Sequence, residues 1–185
     1  MNSKNNKITF MGLAIAINII GGFIAIALKL PIYIDTMGTI LVSILFGPIS
    51  GAIVGGLTSV INGMTFDPIS IYFIPVQIAF AISTGLLFKD NKFRGIKSIL
   101  SIIVVTLVNS VAAAIIVSFV FEGVTSSGSS ILVAILKNSG ISILTSVFST
   151  QIFTDLLDKA ISFGVVFTII KMLPMSIKSK IIERK

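Results

Sequence analysis

The chain has 185 residues, of which 55% are hydrophobic and only 11% charged, and its mean hydropathy is +1.09. A soluble domain carries about a quarter charged residues, so this composition excludes one; at ~20 residues per crossing the chain accommodates about six transmembrane helices with short loops. Histidine and cysteine are both absent, which removes disulfides, thiol nucleophiles, imidazole bases and the commonest zinc ligands, so neither a metal nor a cofactor is expected. The net charge of +7 does not point to nucleic acid, because the basic residues stand at the ends of apolar segments rather than on one recognition face.

In chain order, apolar segments fall at 8–28, 34–46, 48–64, 69–88, 97–121 and 148–171, separated by turn or polar residues. They predict one all-α integral membrane domain over residues 1–185, a six-transmembrane-helix bundle. Lys4 and Lys7 precede the first segment much as in a signal peptide, but the run from Ile8 to Leu28 is longer than the usual signal core, and a retained first helix is expected. Within that helix Gly12 and Ala16, then Gly21 and Ala25, place small side chains four apart. Such faces let membrane helices approach closely, and these four residues are candidates either for packing inside the bundle or for docking a partner membrane subunit.

The second and third segments are short and joined by Gly47-Pro48, which predicts a tight helical hairpin. Gly47, Gly51, Gly55, Ser59 and Gly63 recur every four residues, a stripe along one helix face whose expected role is packing inside the bundle. The fourth segment opens with Asp67-Pro68, a helix-start signal, and contains Pro75, where a kink is expected. The stretch 125–146 begins with a Thr/Ser/Gly cluster and is broken by Lys137, Asn138 and Gly140. It reads as an outer-side, surface-lying or re-entrant segment, or as an early start of the last span.

Lysine and arginine placement sets the orientation. With the N-terminus inside, Lys4, Lys7, Lys89, Lys92, Arg94, Lys97, Lys171, Lys178, Lys180, Arg184 and Lys185 all fall on the cytoplasmic side, so N-in/C-in is expected. Asp35, Asp67, Glu122, Asp155 and Asp158 show the opposite bias, leaving Asp90 and Glu183 as the plainly cytoplasmic acids.

Ionised groups at mid-membrane cost about 2.5–3.5 kcal/mol on insertion scales, so polar residues inside these segments are candidates for ligand contact. Asp35 and Asp67 also suit helix capping. Asn62 and Asp67 bracket one loop, Gln77 follows Pro75 by two residues, and Asn109 lies midway along the fifth segment. Gln151 and Asp155 share a face of the last helix, where Asp155 and Lys159 are spaced for an i,i+4 ion pair. Tryptophan is absent, so stacking on a flat ligand falls to Tyr33, Tyr72, Phe66 or Phe73. The candidate substrate-binding residues are therefore Asp35, Asn62, Asp67, Tyr72, Phe73, Gln77, Asn109, Gln151 and Asp155; no catalytic residue is expected.

The run Leu30-Pro31-Ile32-Tyr33-Ile34-Asp35-Thr36-Met37-Gly38-Thr39, followed by Leu45-Phe46-Gly47-Pro48-Ile49-Ser50-Gly51-Ala52-Ile53-Val54-Gly55, resembles the substrate-binding S components of energy-coupling factor (ECF) transporters. The similarity is best over residues 12 to 88. It implies a six-helix bundle in a bacterial plasma membrane that binds a vitamin, a vitamin precursor or another small polar metabolite, sugar- or nucleoside-like molecules included, near its outer face. It further implies docking on one coupling transmembrane subunit and two ATPase subunits, with release by toppling of the S component in the bilayer. In that family the first helix carries an alanine-xxx-alanine contact for the coupling subunit, where this chain has Gly12-xxx-Ala16 and Gly21-xxx-Ala25. The chain has no Gly-x-x-x-x-Gly-Lys-Ser/Thr loop, consistent with ATP hydrolysis by another chain.

Two other classes compete. A self-sufficient secondary transporter or channel often shows broken helices in both halves, and here the second half offers no counterpart of Pro75. An intramembrane enzyme would have to work with Asp155 and Asp158 beside Lys159, which read more simply as an ion-paired helix end.

Overall fold

A computed structural model describes residues 3–89 and 95–173. Among these residues the chain forms seven α-helices: α1 (Ser3–Ala27), α2 (Met37–Phe46), α3 (Pro48–Thr65), α4 (Ile74–Leu87), α5 (Ile96–Phe119), α6 (Ser129–Asn138) and α7 (Ile143–Met172), with a 3₁₀ turn over Pro68–Phe73. Lys92, Arg94, Lys178, Lys180, Arg184, Lys185, Asp90 and Glu183, which entered the orientation argument, lie outside the described residues, as does the side chain of Lys4.

The helices are inverted relative to a soluble bundle. Leu13, Ile17, Ile20, Phe23 and Ile24 of α1 point outward, as do Ile99, Leu100, Ile103 and Leu107 of α5. Asn18, Thr39, Thr58, Gln77, Asn109, Asp155 and Lys159 are buried. Lipid solvates the first set at no cost, whereas polar groups must find partners inside the protein. Three helical stretches, Asn5–Ala27, Pro68–Leu87 and Ile96–Phe119, are long and apolar enough to cross a membrane. The 30-residue α7 is about 45 Å long at 1.5 Å per residue, but Asp155, Asp158 and Lys159 interrupt its apolar run.

Turns alternate between two ends. At one, the 28–36 link meets the 120–130 segment, where Gly128 N–H donates to the Leu30 carbonyl at 3.1 Å and Tyr33 donates to Thr125 at 3.1 Å. At the other, Phe10 packs edge-on against Phe46, and Phe88 packs on Phe163 and Phe167. Here the main apolar core forms, with Ile40, Leu41, Ile44 and Leu45 of α2 against Phe80, Val105, Phe163 and Val166. Helix α2 is buried over its whole circumference, from Gly38 to Leu45, the mark of an interior helix. At 10 residues it is about 15 Å long, half a hydrocarbon thickness. The expected segment 34–46 thus becomes a non-helical entry followed by this short helix.

The hairpin forms as expected, Gly47 linking α2 to α3 at φ 87, a conformation open to glycine and strained for other residues. The α3 stripe packs inward: Gly51 lies on Ser43 of α2, Gly55 on the Gln77 backbone and Thr39, and Gly63 on Ile71. The α1 repeat divides. Gly21 is pressed against the Ile34 carbonyl and Ala25 is buried, so both belong to internal packing, whereas Gly12 and Ala16 are exposed. Pro75 does not kink a continuous helix; it occupies the first turn of α4, where its missing N–H costs nothing, and the 3₁₀ turn precedes it. The 125–146 stretch contains the separate helix α6, packed on α7. The last helix begins at Ile143, capped by Ser142, five residues before the expected start.

The sequence reading gave no role to Asn18, the one amide between Phe10 and Leu28. Its side chain accepts from the Gly38 N–H at 2.6 Å and donates to Thr39 at 2.9 Å and Thr58 at 3.2 Å, joining α1, α2 and α3. Asn18→Ala is expected to lower stability by about 1–3 kcal/mol, measured as thermal unfolding of the detergent-solubilised protein. An unchanged midpoint would mean that apolar contacts alone hold α1.

Candidate functional site

The 28–36 link is too polar for lipid and is held down residue by residue. Ile34 has φ 53, a left-handed conformation unfavourable for a β-branched residue. Its N–H donates to Asp158 Oδ1 at 3.0 Å. Lys159 Nζ lies 2.6 Å from Asp158 Oδ2 and donates to Thr36 at 3.2 Å, while resting 4.8 Å from the centre of the Phe80 ring. The expected i,i+4 pair of Asp155 with Lys159 is replaced by this pair between chain neighbours, because Thr36 and the Ile34 N–H draw both groups toward the link.

Asp155 turns to α5 instead, where Oδ2 accepts from Asn109 at 2.9 Å and from Ser110 at 2.8 Å. Nor does Asp35 cap α2: the cap position belongs to Thr36, without a side-chain cap bond, and Asp35 Oδ2 accepts from Gln77 Nε2 at 3.1 Å. Asp67 takes the expected cap position before Pro68, but its carboxylate binds hydroxyls, accepting from Ser70 at 2.6 Å and from Ser126. It therefore straps the 3₁₀ turn to the 120–130 segment.

These groups surround a cavity at the link end of the bundle. Its walls are Tyr33 and Asp35 from the link, Ser59 from α3, Asp67 and Phe73 from the 3₁₀ segment, Gln77 from α4, Asn109 from α5, and Asp155 and Lys159 from α7. The free volume is about 50 Å³, space for a few water-sized groups. The Tyr33 hydroxyl is turned to Thr125, to which it donates. Ile69, Val76 and Ala113 complete the wall with apolar surface, and polar groups convergent on a partly apolar cavity suit hydrogen-bonded capture of a small molecule.

Asp35, Asp67, Phe73, Gln77, Asn109 and Asp155 are thus brought together, although they are scattered over 121 residues from Asp35 to Asp155 in sequence. Asn62 is buried but faces Gly22 of α1. Gln151 is buried away from the lining, and Tyr72 is exposed, edge-on to Phe121. The sequence list omits Tyr33, Ser59 and Lys159. Lys159 was legible as a lone cation one helical turn beyond Asp155; Ser59 was legible only as part of the glycine stripe.

Among the described residues no group of three or more acidic, histidine or cysteine side chains is arranged to hold a metal ion. In comparisons with known proteins, the family described as "ECF transporter, substrate-specific component" matches residues 6–170. No curated protein and no solved structure matches the chain.

Lys159→Met leaves Asp158 buried without its cation and is expected to cost about 3–5 kcal/mol in denaturant or thermal unfolding. Adding Asp158→Asn should recover much of that loss, since the amide oxygen still accepts the Ile34 N–H. A double variant as unstable as Lys159→Met alone would refute the pairing.

Proposed function

The chain belongs to the family of ECF transporter substrate-specific components, and from this membership we propose that it is the binding subunit that captures a vitamin, vitamin precursor or other small polar metabolite for ATP-driven import. Members of this family are transport subunits that work with small-molecule substrates and a module of a coupling membrane subunit and ATPases. The single observation that carries the reading to this chain is the buried cavity, in which Gln77, Asn109 and Asp155 converge from three helices.

The topology we propose has six passes: α1, the 31–36 entry with α2, α3, the 68–87 stretch, α5 and α7. Support comes from the alternation of turns between the two ends, which leaves the start of α1 and the end of α7 at the same end. Lys7, Lys89, Lys97 and Lys171 stand at that end by their position in the chain, which favours a cytoplasmic assignment for it and an outward-facing cavity. A bacterial plasma membrane is the setting this function requires.

Coupling requires an outer surface. Gly12 and Ala16 are exposed, and a Cβ added at Gly12 meets nothing within 4 Å, so a partner helix has room to approach α1 there. Gly21 and Ala25 are withdrawn from this role by their burial.

The purified chain in liposomes is expected to bind its ligand without transporting it; uptake should require the coupling subunit, the ATPases and ATP. Accumulation driven by an ion gradient through this chain alone would overturn the assignment. In the assembled transporter, Gly12→Leu or Ala16→Leu should reduce ATP-driven uptake about tenfold or more, the equivalent of ~1.4 kcal/mol of lost association, while leaving ligand affinity within about twofold. Parallel loss of binding and uptake would place this face in the bundle's own packing.

A further inference from the structure

The charges around the cavity do not balance. Asp35, Asp67 and Asp155 line it, and none has a lysine or arginine within ion-pair distance among the described residues. Lys159 also lines it, but its ammonium is committed to Asp158 at 2.6 Å, to Thr36 and to the face of Phe80. The inward faces of α3, α4 and α5 supply Ser59, Val76, Gln77, Asn109 and Ala113 and no titratable group. Lys159 also attracts Asp155 and Asp35 from beyond ion-pair distance, but one ammonium among Asp35, Asp67, Asp155 and Asp158 leaves carboxylates in excess, which is unfavourable when they are buried, so the site favours added positive charge.

A second observation points to the same chemistry. Gln77 is 93% buried, and its Nε2 is held by Asp35, a carboxylate that requires a donor. That bond fixes the amide's orientation and leaves Oε1, a buried acceptor on a residue that lines the cavity, with no donor among the described residues. Only one oxygen of Asp155 is engaged by Asn109 and Ser110. Such acceptors ask for N–H groups. The carboxylates are not arranged as a metal cage, so a bare divalent ion does not meet the requirement, whereas an organic cation distributes its charge over several contacts. Phe73, stacked on Phe121, adds an aromatic ring to the wall.

We propose that the substrate is a compact organic cation bearing N–H donors, a protonated amine, amidinium or guanidinium, received by Asp35, Asp155 and the Gln77 Oε1. This rests on the reading of the chain as a binding subunit and specifies the class of molecule it takes.

The test uses the full chain in detergent, with thermal unfolding as readout and the small molecules of a complex growth medium as probe, separated by ion exchange into cationic, neutral and anionic fractions. Stabilisation by the cationic fraction alone, persisting in EDTA, is the expected result. Stabilisation by the neutral or anionic fraction overturns the cation assignment and leaves the binding-subunit reading intact; loss of the effect in EDTA overturns it in favour of a metal ion. No stabilisation by any fraction counts against both. Asp155→Asn and Gln77→Leu should each raise the amount of cationic fraction needed for half the effect about tenfold or more, whereas Glu122→Gln, an exposed carboxylate outside the cavity, should not. Equal effects of all three would reduce the attraction to general surface charge.

Discussion

The ion pair between Asp158 and Lys159 is the fastening on which the cavity end of this bundle depends. Both groups are almost wholly buried, where an unpaired charge would be severely destabilising. Their remaining bonding capacity goes to Thr36 and to the backbone of Ile34. In this way α7 holds a link whose Ile34 adopts a backbone conformation that an isolated isoleucine avoids. Gly21 completes the arrangement, because only a residue without a Cβ lets α1 lie against the Ile34 carbonyl. Once the link is seated, Tyr33 and Asp35 enter the cavity wall together.

The two ends of the bundle use different physics. At the end where α2 turns into α3, apolar packing dominates, with phenylalanines from α4, from its C-terminal cap and from α7 closing around an almost wholly buried α2. At the link end, side-chain hydrogen bonds replace apolar contact: Asp67 ties the 3₁₀ turn to Ser126, Tyr33 reaches Thr125, and Ser127 donates to the Leu30 carbonyl. Hydrogen bonds between segments are directional, so they define the shape of the cavity at this end. Such a division suits a protein that must admit a polar molecule at one end without loosening its fold at the other. Along α1 the same separation holds, since Gly21 serves the cavity end while the exposed Gly12 and Ala16 lie toward the opposite end, with the Asn18 knot between them.

Membership of a transport family accords with a polar cavity whose carboxylates hold neighbouring elements together. Asp155 and Asp158, which might have been read as paired acids, face different partners: one binds Asn109 and Ser110 of α5, the other Lys159 and the link. Each carboxylate is used to hold neighbouring elements in place. The Gln77 Oε1 is left without a donor among the described residues.

Composition alone decided that lipid is the solvent, and apolar runs located six of the seven described helices to within about five residues at either end, with α6 left among several readings of 125–146, because both are local properties of the chain. The family resemblance was also legible, since it rests on contiguous runs between Leu30 and Gly55. Partner choice was not local. Sequence spacing favours Asp155 with Lys159 and places Asp35 at a helix start, yet the folded chain pairs Lys159 with Asp158 and Asp35 with Gln77, because a buried polar group bonds whichever group tertiary packing brings within 3 Å. The glycine repeats illustrate the same limit: spacing identifies a face on which helices can approach, but only the packed bundle decides that Gly21 and Ala25 turn inward while Gly12 and Ala16 remain on the surface.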